Sequence, residues 1–318
     1  MNIERTHIDI GPLGQGDLPE ADRIFRLAFG TFLGLPDPMA FADDADLVTT
    51  RWHAAPHAAL GAYANGVLIG SNFAAHWGSF GFFGPLTVHP DYWDRGVARL
   101  LLAETVAMFE RRGTRQTALF TFPHSAKHVG LYQKYDYWPQ QLTAVMSKAV
   151  EPQPSAGRWQ SYSGLADDQR AAALSACHAL ADAVYPGLDL TIEIESAARQ
   201  RLGDTVLVLD GADLVAFAVC HIGKGSEAGS DCAYVKFGAA RPGADAARHF
   251  DRLLLACESL ASQHGATRLL AGVNTSRFEA YRQMLARGFK TQLQGVAMLK
   301  GNAPGYNLPD RFVIDDWR

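Results

Sequence analysis

The sequence predicts an α/β protein, a mixed sheet flanked by helices, built as two tandem domains of the same kind. Three observations predict it. Apolar segments follow the order strand, loop, helix, strand, helix, strand, whose first crossover creates a parallel pair. The order occurs twice, and Arg99-Leu100-Leu101-Leu102-Ala103 recurs as Arg252-Leu253-Leu254-Leu255-Ala256 at the same place in each round. At 318 residues the chain also exceeds what one hydrophobic core usually organises.

In chain order, LPEADRIFRLAF (18–29) has helical apolar spacing and is ended by the Gly/Pro-rich segment after it; a second short helix is expected near Phe41–Arg51. ALGAYANGVLIGSNFA reads as two strands joined by Asn65-Gly66, the favoured pair for a two-residue hairpin turn. FGFFGPLTV is a strand ending at Val88. VARLLLAETVAMFERRG is a helix stopped by Gly113. QTALFTF, SAKHVGLYQKY and QLTAVMSK are then strand, helix and closing strand. The expected domains are 1–150 and 158–300, with the Pro/Gly/Ser-containing VEPQPSAGR as linker and 301–318 as a tail.

Hydrophobic residues make up 48% and charged residues 19%, a globular balance. No apolar run approaches the ~20 residues that span a bilayer, and MNIERTHIDI lacks a signal peptide's apolar stretch, so a soluble cytoplasmic protein without a membrane partner is expected. A net charge of −4 argues against nucleic acid as a partner. Cys177, Cys220, Cys232 and Cys257 are widely spaced without a C-x-x-C pair and read as reduced core residues. His124 and His128 share a helix face but lack the Glu of H-E-x-x-H, so no metal is expected.

The chemistry is carried by LTVHPDYWDRGVARLLL, where a loop joins a strand end to a helix start, with Gly96 and Ala98 where the backbone must lie open. First-turn N–H groups lack partners and carry about half a positive charge, so main-chain amides there can hold a pyrophosphate. The run V-H-P-x-Y-x-x-R-G-V-A resembles the acyl-CoA signature Q/R-x-x-G-x-G/A of the GNAT superfamily of N-acetyltransferases, aligned on Trp93-Asp94-Arg95-Gly96-Val97-Ala98. It departs at Trp93, which stands where Arg or Gln is usual. The resemblance implies acetyl-CoA, or another short acyl-CoA, as acyl donor. It also implies a strand splayed from its neighbour, with Leu86, Thr87 and Val88 offering backbone groups to the pantetheine arm.

HVGLYQKYDY resembles the family's A-x-x-L-Y-x-K-x-G-F helix, which implies Tyr132 as the general acid that protonates the departing thiolate. Ser125 takes the place of a frequent Asn seven residues earlier, on the cofactor side. From the residues alone, Leu86 to Val88 also fit a plain buried strand and Tyr132 a half-buried tyrosine. Relatives often carry a Glu on the strand before the loop, whereas residues 79–88 hold no ionisable side chain. His76, His89 and His124 are then the candidate bases, because imidazole titrates near neutrality.

Aligning the two RLLLA runs sets His249 opposite Gly96 and Asp251 opposite Ala98, an imidazole and a carboxylate where phosphate must approach. Carried on, the alignment sets Met284 opposite Tyr132. The second domain is expected to be a degenerate copy, leaving one CoA per chain. Two functional classes remain: an N-acyltransferase passing its acyl group directly to a small amine-bearing acceptor, and a non-catalytic acyl-CoA-binding sensor or regulatory module. The pattern names neither the acceptor nor the oligomeric state. A nucleotide protein is disfavoured, since no G-x-x-x-x-G-K-[ST] occurs.

Overall fold

The computed structural model describes residues 7–151 and 159–318; most of the expected linker lies outside the described residues. The first half runs β1 (Ile8–Pro12), α1 (Leu18–Leu33), α2 (Val48–Ala54), β2 (Ala59–Ala64), β3 (Val67–Trp77), β4 (Phe80–Phe83), β5 (Thr87–Val88), α3 (Val97–Arg111), β6 (Gln116–Thr121), α4 (Ala126–Gln133) and β7 (Tyr137–Ala149). The second runs β8 (Trp159–Ser161), α5 (Asp167–Val184), α6 (Thr191–Gln200), β9 (Gly203–Asp210), β10 (Asp213–Gly223), β11 (Gly229–Ala240), α7 (Ala246–Gln263), β12 (Arg268–Asn274), α8 (Phe278–Ala286), β13 (Lys290–Lys300) and β14 (Val313–Ile314).

Local chemistry accounts for most boundaries. α1 buries Leu18, Ala21, Ile24, Phe25 and Ala28, a single face at helical spacing, and ends on left-handed Gly34. Asn65 and Gly66 both take positive φ, as a type I′ hairpin turn requires. The helix expected near Phe41–Arg51 begins only at Val48. Ala42 and Asp43 have left-handed backbone, and the Arg26 guanidinium, donating to the carbonyls of Phe41 and Ala45, holds the preceding segment as a turn.

All the strands join one mixed sheet whose main path runs β1-β2-β3-β4-β6-β13-β7-β12-β11-β10-β9-β8 among the described residues. The closing strands are exchanged. β13, from the second half, pairs antiparallel with β6 of the first, Val296 opposite Thr121 through Leu299 opposite Ala118. β7, from the first half, pairs antiparallel with β12, Arg268 opposite Ala149 through Asn274 opposite Thr143. β7 and β13 then pair with each other. The two tandem units expected from the sequence therefore share one continuous sheet. Both strands are buried at consecutive residues, Thr143 to Met146 and Gly295 to Leu299, which suits only a position covered on both faces.

The core crosses the same boundary. Trp77, Phe80 and Phe82 pack with Leu180, Leu188, Ile194, Phe217 and Phe237 in one cluster.

Part of residues 301–318, expected as a tail, instead returns to the core. Tyr306, Val313, Ile314, Asp315, Asp316 and Trp317 are all buried. Their anchor is Arg277, fully buried, which bonds Asp315 (2.7 Å), the Asn307 side chain and the Val313 carbonyl beneath Tyr306. Apolar residues flanking the two aspartates draw the segment inside; the Arg277 guanidinium offsets the burial of Asp315, and Tyr234 with Arg318 that of Asp316. Arg277→Met leaves Asp315 buried without its cation and is expected to lower stability by about 3–5 kcal/mol in urea unfolding.

His221 on β10 is buried and its Nδ1 has no hydrogen-bond partner among the described residues. Burial first, and the Lys236 charge second, depress its pKa to about 4 from an ordinary 6.5. Between these values the unfolded chain binds a proton that the folded chain does not, so stability falls as pH drops from about 6.5 to about 4. The slope from this group is about 1.4 kcal/mol per pH unit. His221→Phe should flatten that stretch of the melting temperature against pH; an unchanged slope would assign it to other groups.

Candidate active site

β4 and β6 run parallel and pair from Phe80 opposite Gln116 to Phe82 opposite Ala118, then part. Gly84 N–H still donates to the Phe73 carbonyl (2.7 Å). Pro85 offers no N–H to a ladder, and the strand resumes only as β5, paired with β3 through Thr87 opposite Ser71 and Val88 opposite Gly70. β6 meanwhile continues to Thr121 against β13. The result is a wedge between β5 and the end of β6.

Leu86 makes no main-chain hydrogen bond among the described residues. The Thr87 and Ser71 hydroxyls pair at 3.3 Å. The Val88 carbonyl, expected to be free, accepts instead from the Trp93 indole N–H (2.8 Å). Trp93 thus turns back onto the strand and packs with Val97 and Leu101, closing the loop rather than reaching toward a ligand.

The loop itself is shaped at two residues. Asp94 and Gly96 have positive φ, and Gly96 is the N-cap of α3 with no side-chain cap. A Cβ at Gly96 would meet nothing nearer than the Arg99 guanidinium at 4.0 Å, so the position is open, and its φ of 82° is one that glycine adopts readily. The first-turn amides of Val97 and Ala98 therefore lack a side-chain partner. Arg95 lies over the Tyr92 ring at 5.1 Å, and Asp94 pairs with Lys127 at 2.6 Å, linking the loop to the start of α4. These features fit a phosphate-bearing ligand: small residues, open amides and a helix N-terminus at the mouth of a wedge.

Tyr132 is buried, its ring 5.9 Å from that of Phe83 at the end of β4, in a cluster with Leu102, Leu119 and Leu86. It sits where the two strands diverge. Burial pushes the phenol up to about 12, while the Thr121 hydroxyl, at the end of β6, works the other way. Ser125 caps α4, its hydroxyl accepting from the His128 N–H at 3.4 Å, and is buried.

The candidate bases are scattered. His89 caps the turn before the loop by accepting from the Asp91 N–H. His124 is exposed and stacks on Phe32 with His128 beside it. His76 is held below the usual imidazole range by burial and then by the Arg112 charge, but it lines a cavity between the halves with Arg51, Phe82, Gly84, Glu193 and Lys236. Among the described residues no group of three or more His, Cys, Asp or Glu is arranged for a metal, and the four cysteines are free and buried.

The matching place in the second half is built differently. β11 and β12 pair from Cys232 opposite Arg268 to Val235 opposite Ala271. Beyond that point β14 pairs with β11, Ile314 opposite Gly238 and Val313 opposite Ala239, and Gly272 of β12 abuts Asp316 so closely that a Cβ would collide with it. The chain's own residues fill this second wedge.

His249 and Asp251, expected in a loop, lie inside α7, which starts one turn earlier relative to RLLLA than α3 does. Asp251 is engaged by Arg287, and His249 is buried. Met284 is fully buried in α8.

One residue at the first wedge carried no sequence signal. Arg51, in the short polar helix VTTRWHA, is buried and donates to the Gly84 carbonyl at 2.6 Å. Nothing in local periodicity marks an arginine whose partners lie in the other half of the chain.

Residues 22–137, a little over a third of the chain, match the model of the acetyltransferase (GNAT) family. No curated protein matches the sequence. Among solved structures, a protein of Pyrococcus horikoshii provisionally assigned as an acetyltransferase superposes with a TM-score of 0.69 at 15% identity, covering 98% of this chain and 95% of its own. A GCN5-related N-acetyltransferase from Sphaerobacter thermophilus gives 0.58 at 14% identity, covering 95% and 97%. One from Anabaena variabilis gives 0.54 at 12%, covering 92% and 72%. At such identities the likeness is one of fold, and it extends over both halves. The segment that matches the acetyltransferase (GNAT) family model, residues 22–137, contains the loop at Gly96 and Tyr132.

Proposed function

We propose that the first wedge binds an acyl-CoA, acetyl-CoA or a similarly short one, and that the protein transfers the acyl group directly to the amine of a small acceptor. The observation that supports this most is the contrast between the wedges: the first is open beside uncapped helix amides, and the second is filled by residues 306–317. In this reading the amides from Arg95 to Ala98 hold the pyrophosphate and the Leu86 main chain pairs with the pantetheine arm. Bound there, acetyl-CoA supplies a thioester whose carbonyl carbon the amine attacks and from which a thiolate leaves.

Tyr132 stays protonated throughout the physiological range, since burial pushes it up to about 12. Full transfer of its proton to a thiolate of ordinary pKa near 8.5 is uphill, so it acts chiefly as a hydrogen-bond donor to sulfur as charge develops. β4 and β5 carry no ionisable side chain, and the acceptor ammonium loses its proton to solvent. That same absence favours the second reading, a non-catalytic acyl-CoA sensor. Turnover of acetyl-CoA over a panel of amines separates the two.

Calorimetric titration is expected to give one CoA per chain, and saturation at 100 times the dissociation constant should stabilise the fold by about 2.7 kcal/mol. Gly96→Glu, which adds bulk and negative charge to a left-handed position, should abolish the thermal shift; Gly96→Asn, which tolerates that backbone, controls for folding. His249→Glu should leave the shift intact. Two sites of similar affinity would show that the second wedge opens and would overturn the asymmetry.

Tyr132→Phe should lower kcat by more than tenfold with little change in the acetyl-CoA KM, because the bond to sulfur strengthens only as the thiolate forms. It should leave the pH profile between about 6 and 9 in place, since this phenol does not titrate there. A rise in KM alone would reduce Tyr132 to a packing residue.

A further inference from the structure

We propose that Arg51 is a positioning residue through which the second half of the chain sets the geometry of the first wedge. The inference rests on the reading of that wedge as an acyl-CoA channel. Arg51 lies on α2 in the first half, yet most of its partners belong to the second. Its Nε donates to Glu227 Oε1 (3.1 Å) and one terminal nitrogen to Glu227 Oε2 (2.8 Å), a bidentate pair, and the same nitrogen meets the Arg318 main-chain oxygen. The other terminal nitrogen donates to the Gly84 carbonyl (2.6 Å). Glu227 Oε1 also accepts from Lys236 Nζ (2.6 Å), which lies 3.4 Å from Glu193 Oε2. Glu193 Oε1 closes the chain by accepting from the Trp77 indole N–H at 2.9 Å, back in the first half.

Two cations and two carboxylates balance, and all four side chains are at most 8% exposed. Burial alone would push the Glu227 carboxyl up, but the charges of Arg51 and Lys236 outweigh it and hold the group well below the usual carboxylate range. Each of these charges is engaged by an opposite one. What the network offers is a fixed guanidinium, and the one group of the first wedge that this guanidinium touches is the Gly84 carbonyl. Gly84 is where the strand leaves the ladder, one residue before Pro85 and two before Leu86. A carbonyl turned out of a sheet needs a donor, and Arg51 supplies it. The direction of Gly84–Leu86, and so the opening between β5 and β6, is set by an ion pair whose carboxylate the second half contributes. This gives a half whose own wedge is filled a role in the working site.

The test uses the full chain with Arg51→Met and Arg51→Lys. Lysine keeps the charge but loses the bidentate pair, so it should recover part of the methionine loss. Two readouts are taken. Without ligand, amide hydrogen exchange at Gly84 and His89, whose N–H groups donate to the Phe73 and Ile69 carbonyls, is expected to speed up at least tenfold in either variant, against unchanged exchange in α7. With CoA, the dissociation constant should rise at least tenfold in Arg51→Met and less in Arg51→Lys, with kcat at saturation changed much less than KM. Leu260→Ala, a core substitution in α7 within a cluster that contains neither Arg51, Gly84 nor residue 318, serves as the control for general destabilisation and should leave CoA affinity within about twofold. Wild-type exchange at Gly84 and His89 in Arg51→Lys, or an equal loss of CoA affinity in Leu260→Ala, overturns the proposal. If the wild-type protein binds no CoA, the reading of the wedge falls, while the exchange measurement still decides whether Arg51 holds the strand.

Discussion

The antiparallel pairing of β7 with β13 is the interaction on which the rest of the molecule depends. Each strand ends one half of the chain, and each is hydrogen-bonded on its far edge to the other half, β7 to β12 and β13 to β6. A closing strand left on its own half would present an unpaired edge over an apolar stretch, which is a liability in water. Exchange removes both edges at once and buries Thr143 to Met146 and Gly295 to Leu299 on both faces. It also fixes the two halves against each other, so that side chains from one can be placed within hydrogen-bond distance of the other's strands.

That fixed arrangement is then used asymmetrically. Both halves contain a parallel strand pair that separates after a few residues. In the second half, backbone groups exposed by the separation are satisfied internally, by β14, with Arg277 neutralising the buried Asp315 beside it. In the first half no such strand fills the gap, the proposed acyl-CoA would take that place, and the loop at Gly96 presents amides without a side-chain cap at the mouth. One architecture thus yields a filled channel and an open one, and the difference is the path of about a dozen residues.

The electrostatics follow the same logic. Burying Arg51, Lys236, Glu193 and Glu227 between the halves carries a desolvation cost that only close pairing offsets. Such a network adds little net stability over an apolar interface, but it is directional, and direction is what a carbonyl at a strand break requires. Tyr132 shows the opposite use of burial. With few charges around it, its phenol is kept neutral and so remains a donor at every physiological pH.

The sequence by itself determined what local chemistry encodes. Helical spacing set α1 and α3, the Asn65-Gly66 pair set its hairpin, and the strand-loop-helix order around Gly96 pointed to an anion site and to a family. These are short-range properties, decided by residues within a turn or two of each other. The partner of a closing strand is not. β7 and β13 present similar apolar patterns, and which neighbour each takes depends on the comparison of whole sheets. The last residues read as a tail because of their prolines and glycines, and the burial of their aspartates depends on Arg277, Tyr234 and Arg318, which only the fold brings to them. Trp93 read as a departure from a ligand-binding pattern until its indole was seen to be bonded to Val88. Arg51 was invisible, since Glu227 lies 176 residues away and only the folded sheet brings the two charges together.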